Sequence, residues 1–157
     1  MGLFSSNVIL FTLLLRLLTE TALCGYEQDR AIEEGHYWRE RGRSAPRCSY
    51  RQIHFYERSL AADPGVADVY LELAEVYYEL AISYGHRDLY DRALDSLTAA
   101  LEVDPDLAPA YYRRGTIYFL LGDFSDSRRE LEAARRLDPS YQPAEIGLRN
   151  LRDGKFN

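Results

Sequence analysis

Lysine is nearly absent from this chain of 157 residues: Lys155 is the only one, and every other cation is an arginine. The formal net charge is −6. A deficit of positive charge argues against nucleic acid as a partner, because phosphate contacts need clustered cations. Histidine is equally sparse. His36, His54 and His86 are the only three, and none stands at helical spacing from another histidine or a cysteine. No HExxH, CxxC, nucleophile-elbow or glycine-rich phosphate loop is present. Nothing in the chain therefore suggests an enzyme, a metal centre or a cofactor site. Two cysteines, Cys24 and Cys48, are too few for a disulfide framework.

A long apolar run is also missing. Val8 to Leu15 is apolar apart from Thr12, and Leu17 and Leu18 extend the run past Arg16. That falls short of the roughly 20 apolar residues needed to span a bilayer. It suits the core of an export signal or a membrane-anchoring segment over residues 1–24. Ala22 and Cys24 are small residues placed for cleavage before Gly25, and Cys24 is alternatively a lipidation site. The reading expects an exported, periplasmic or membrane-associated protein of the cell envelope, or a cytoplasmic one tethered to a membrane.

What the chain does have is a repeat. With 46% hydrophobic residues it can build a core. Three Asp-Pro pairs, Asp63-Pro64, Asp104-Pro105 and Asp138-Pro139, each close one amphipathic run and open another. Pro105 and Pro139 are 34 residues apart, and Pro64 and Pro105 are 41 apart. Within 108–139, Tyr111, Gly115, Tyr118, Gly122, Leu131, Ala134 and Pro139 follow a pattern of small and large residues. Small side chains let paired helices approach, and large ones fill the space between. Tyr70, Leu73, Ala74, Tyr77, Ala93, Leu97 and Ala100 repeat it over 67–105. Tyr70, Tyr77, Tyr111 and Tyr118 are read as packing residues.

These residues closely resemble the tetratricopeptide repeat, a family of paired helices stacked into a solenoid. The resemblance is strong for 67–139, weak for 27–64 and absent before Gly25. Arg114 stands where the family has Leu, and Ser127 where it has Ala. Either the Arg114 stem packs while its head reaches water, or it pairs with an acid in the preceding unit. The fold expected is an all-α solenoid over 25–157. It comprises a degenerate unit (27–64), two regular units (67–105 and 108–139) and a closing helix (141–152) with Ala144, Ile146, Leu148 and Leu151 as its apolar residues.

Three local expectations follow. The seven extra residues of the middle unit should add about one turn to each helix and move their junction outward, with Gly85 as the stop. Asp88 should cap the next helix. Gly42 to Pro46 should form a loop between a first helix near Glu27–Arg41 and a second near Cys48–Ala62.

The resemblance implies a concave, partner-binding face built by the first helix of each unit. In the middle unit it implies Asp68, Leu71, Glu72, Glu75, Tyr78 and Glu79; in the last, Pro109, Tyr112, Arg113, Thr116, Phe119 and Leu120. Helical spacing independently puts Asp68, Glu72, Glu75 and Glu79 on one stripe. Such a stripe is either solvated or a wall that receives a basic segment, with Tyr112 and Phe119 as an aromatic floor. Some members of the family grip a chaperone's C-terminal carboxylate with Lys and Asn on this face. Leu71 and Glu75 occupy the corresponding positions, so no such clamp is expected. The function implied is a non-catalytic adaptor or assembly factor holding a protein or peptide. The alternative is a structural subunit that self-associates or sits inside a larger membrane-associated complex.

Overall fold

The computed structural model describes residues 3–154, with seven helices and no strand among them. They are α1 (Leu3–Ser44), α2 (Tyr50–Ala62), α3 (Ala67–Tyr84), α4 (Asp88–Val103), α5 (Ala108–Leu121), α6 (Phe124–Leu137) and α7 (Gln142–Asp153). The dominant packing is within three hairpins, α1/α2, α3/α4 and α5/α6. Each hairpin stacks on the next, and α7 covers the open side of the last one, touching both α5 and α6. The chain is an α-solenoid.

The Asp-Pro pairs end helices by one repeated device. Asp63, Asp104 and Asp138 close α2, α4 and α6 with nearly identical backbone angles, φ −135 to −131 and ψ 94 to 97. This is the extended conformation that a following proline imposes. Each carboxylate then accepts the backbone N–H two residues on, from Gly65, Asp106 and Ser140, at 2.9–3.0 Å. The turn is held by its own side chain.

The middle hairpin accommodates its insertion much as expected. Against the 14-residue α5 and α6, α3 has 18 residues and α4 has 16. The junction takes the one remaining residue. Gly85 ends α3 at φ 70, a left-handed conformation that a side chain would strain. Asp88, in contrast, does not cap α4. Arg87 holds the cap position in helical conformation and makes no capping bond, leaving Asp88 as the first helical residue. Its charge still faces the favourable end of the helix dipole.

Gly42 to Pro46 is only partly a loop. α1 continues through Gly42 to Ser44, because the bare Gly42 backbone is where the Tyr56 ring of α2 packs. Gln52 seals the contact by donating its amide N–H to Gly42 O at 3.3 Å. α1 is also unbroken through Cys24 and Gly25, far beyond the helix expected near Glu27–Arg41. Between Glu20 and Glu34 its described side chains are exposed, except for half-buried Ala31.

The core follows the small-and-large logic. Ala74, Ala81, Ala93, Ala100, Ala110, Ala134 and Ala144 are fully buried at helix contacts, and Leu80, Leu97, Ile117 and Leu131 fill the spaces between. Tyr77 is buried, whereas Tyr70, Tyr111 and Tyr118 are half-buried. In α7 the buried pair is Ala144 and Gly147; Ile146 faces out, with 49% of its surface exposed. Gly147 rests on Leu131 so closely that a Cβ would come within 2.9 Å of it.

Candidate functional site

The acidic stripe on α3 forms as its spacing demands, and it meets arginines from both neighbouring first helices. Arg39 of α1 donates to Glu72 at 2.8 Å and lies 3.3 Å from Asp68. Arg43 reaches the same Glu72 oxygen at 2.5 Å. Arg47, in the loop after α1, pairs with Glu79 at 3.2 Å, and the Cys48 thiol donates to the other Glu79 oxygen at 2.8 Å. From the other side, Arg113 of α5 pairs with Glu75 at 2.6 Å. The stripe is neither bare in water nor vacant for a foreign cation. Its charges are met within the chain, an arrangement distinct from both readings of the spacing.

The electrostatics follow from these pairs. The bond to Glu72 holds the Arg39 and Arg43 guanidinium groups above their ordinary pKa, partly opposed by burial. Burial pushes the Glu75 carboxyl up, and Arg113 pulls it back. The bond to Glu79, together with burial, raises the Cys48 thiol, so Cys48 is less acidic than a free cysteine.

Beside this zipper the concave face opens into a groove of about 640 Å³. Of the twelve expected positions, Tyr78, Tyr112, Arg113, Thr116 and Leu120 line it. Asp68, Glu72, Glu75 and Glu79 turn toward their arginines, and Leu71 packs on the core. Phe119 leans on Phe124, with ring centroids 5.3 Å apart. The Arg113 guanidinium lies 4.4 Å from the Tyr78 ring centroid, a cation–π contact that fixes both groups. Tyr78 meets Tyr90 edge-on at 6.3 Å, and Tyr112 meets Tyr141 at 5.7 Å. The Thr116 hydroxyl is already engaged, donating to Tyr112 O at 3.0 Å.

Several lining residues escaped the sequence reading. Ile82, Gly85, Arg87 and Tyr90 come from the lengthened end of the α3/α4 hairpin, and Ile146, Gly147 and Asn150 from α7. Leu120, which the resemblance did imply, completes the apolar rim. The signal for the first group was the seven-residue insertion. For α7 it was Gly147, a small residue inside a helix, where it marks close approach to another element.

Arg114 does find an acid, in its own hairpin rather than the preceding unit. Its guanidinium lies 2.7 Å from Glu130 of α6, and Ser127 beside them is fully buried. The Cys24 side chain lies outside the described residues, so the expected lipidation site is not part of this geometry. Among the described residues no three His, Cys, Asp or Glu side chains gather to hold a metal, and no helix is long and apolar enough to cross a membrane.

Comparison with known proteins agrees with this architecture. Residues 108–141 match a family model described as tetratricopeptide repeat, and residues 74–107 match a second of the same description. The earlier match starts seven residues into α3. That helix carries the small-residue pattern twice, as Leu73-Ala74-Tyr77 and as Leu80-Ala81-Tyr84. No curated protein matches the sequence. Among solved structures, the Arabidopsis OM64 TPR domain is similar with a TM-score of 0.68 at 22% identity, covering 80% of this chain and 99% of that one. The first TPR of Spaghetti (RPAP3), bound to HSP90 peptide SRMEEVD, gives 0.66 at 20% identity, covering 78% and 94%. MamA gives 0.60 at 17% identity, covering 81% and 67%.

Proposed function

Because this chain is a tetratricopeptide-repeat protein, we propose that it is a non-catalytic adaptor that holds a protein or peptide segment in its concave groove. The observation that carries this reading is the groove itself. It is a preformed cleft of about 640 Å³ that presents aromatic rings and exposed aliphatic side chains on a rigid helical frame. Such surfaces anchor peptides through a few apolar side chains. A fold alone does not specify function, so the argument rests on the cleft. A basic segment would have to displace Arg39, Arg43, Arg47 and Arg113 from their carboxylates, so the aromatic floor, rather than the acidic stripe, receives the partner.

The direct test fills the cleft. Leu120→Glu and Ile82→Glu, both at exposed positions, should each weaken binding of peptides selected on the intact chain by at least about tenfold, with helical content unchanged. Peptides that bind both variants as well as the parent chain would remove the groove from the function.

One observation favours a second reading, a structural subunit embedded in a larger complex. Leu23, Tyr26 and Ile32 lie exposed on α1, and a helix of that length draws its stability mostly from packing. Sedimentation decides between the two. A monomer over a wide concentration range supports the adaptor, and concentration-dependent assembly supports the subunit. We place the protein at the cell envelope, exported or membrane-associated through residues 1–24, on the apolar run from Val8 to Leu18. Mass spectrometry of the N-terminus recovered from the native cell tests cleavage before Gly25 and lipidation of Cys24.

A further inference from the structure

The lengthened α3/α4 hairpin does more than conserve packing. It raises Ile82, Gly85, Arg87 and Tyr90 into a wall along one side of the groove, facing α7 across it. Among the described residues, two arginines and no carboxylate line the cleft, in a protein whose net charge is −6. The two arginines differ. Arg113 is neutralised by Glu75 at 2.6 Å and stacked on Tyr78. Arg87 is exposed and has no ion-pair partner among the described residues. The nearest acids in sequence do not supply one: Asp88 lies 3.9 Å from His86, and Asp91 is exposed and in no ion pair among the described residues. Around this cation Ile82, Leu120 and Ile146 keep 54%, 45% and 49% of their surface exposed.

We propose that the α3/α4 turn adds a recognition site to the groove, selecting a peptide segment that carries a carboxylate beside aliphatic side chains. The inference rests on the peptide-binding reading and specifies its ligand. Arg87 donates to the carboxylate, a charge-assisted pairing. Ile82, Leu120 and Ile146 take the aliphatic groups, whose burial supplies affinity while the ion pair supplies register. Leu71 and Glu75 play no part in it. The cation comes from the turn between helices rather than from a groove-lining helix.

The experiment selects binders for the full chain from a random dodecapeptide library and measures their affinities. The expected result is enrichment of Asp or Glu next to Leu, Ile or Val. For a selected peptide, Arg87→Glu and Arg87→Gln should each weaken binding about tenfold. Replacing the peptide's acid by its amide should cost about the same on the parent chain and nothing further on Arg87→Gln. Because Arg87 is exposed in a turn, circular dichroism should show both variants folded. If selected peptides lack an acid preference, or bind Arg87→Glu undiminished, the site is refuted while the adaptor reading stands. If every selected peptide binds Leu120→Glu as tightly as the parent chain, the adaptor reading falls and takes this one with it.

Discussion

The Arg114 guanidinium closes on the Glu130 carboxylate at 2.7 Å between α5 and α6, with Glu130 only 4% exposed. This is a charged pair in a position where the family places an apolar residue. Arg129 braces the same carboxylate from the surface at 3.2 Å. Breaking such a pair on one side strands a charge in the interior, and that costs more than the pair contributes.

Glu130→Ala should therefore destabilise the chain by about 3 kcal/mol in urea denaturation. The double replacement of Arg114 and Glu130 by Leu should recover most of that loss, since two apolar groups can fill the same space. A double variant no more stable than Glu130→Ala would show that the charges are required for the hairpin to pack.

Glycine positions divide sharply by what surrounds them. A Cβ on Gly42 would meet Tyr56 Cε1 at 2.5 Å, and one on Gly115 would meet Leu131 Cγ at 2.8 Å. Gly42→Ala and Gly115→Ala should each cost about 1–3 kcal/mol by overpacking. Gly25 has nothing within 4 Å, so Gly25→Ala should add helix stability of up to about 1 kcal/mol. Thermal unfolding of the three variants checks the ordering.

The zipper between α1 and α3 should depend on salt. Glu72 accepts from both Arg39 and Arg43, with its side chain about a quarter exposed. Glu72→Gln should speed hydrogen exchange at the C-terminal end of α1, around 35–44, by about tenfold at low ionic strength. The difference from the parent chain should shrink in 1 M salt, where screening acts within roughly 3 Å. Equal exchange in both proteins would show that apolar packing against α2 alone holds α1.

Burial, reinforced by the charge of Glu72, pushes the Tyr56 phenol up to about 12. The unfolded phenol ionises near 10. The folded-state pKa is the higher, so this contribution to stability is fully present below pH 10. It is lost as the pH rises from 10 to 12, at about 1.4 kcal/mol per pH unit where the slope is steepest. Tyr56→Phe should flatten that part of the stability profile. An unchanged alkaline limb would place the ionisation elsewhere.

At the other end of the scale, the Asp138 carboxyl is held below its usual range by the Ser140 hydroxyl and backbone N–H. Its folded-state pKa is the lower, so its contribution exists above the ordinary aspartate range and fades as the pH falls through the folded value. Asp138→Asn with Ser140→Ala should show a weaker acid dependence of unfolding than the parent chain. An identical acid limb would exclude the turn as its source.

Local chemistry made most of the architecture legible in the sequence. Asp-Pro ends a helix because the ring forces its predecessor into extended backbone and the carboxylate caps the turn. Gly85 ends α3 because only glycine enters the left-handed region without strain. Alternating small and large residues defined the hairpins, and the length of the insertion, with Gly85 as a stop, pointed to an extension of both helices, although α3 takes four residues and α4 only two. Helical spacing likewise put the four acids on one face.

What spacing cannot encode is the identity of the group that crosses to meet that face. Arg39 and Glu72 are 33 residues apart and Arg113 and Glu75 are 38 apart. Only the stacking of hairpins brings them together, and it converts an apparent acidic wall into a neutralised one. The same stacking lets α7 and the raised α3/α4 turn share one cleft, because rigid helices fix the separation of surfaces that no short-range rule connects. Periodicity along the chain determined the helices and their faces; the choice of contacts across those faces belonged to the three-dimensional packing alone.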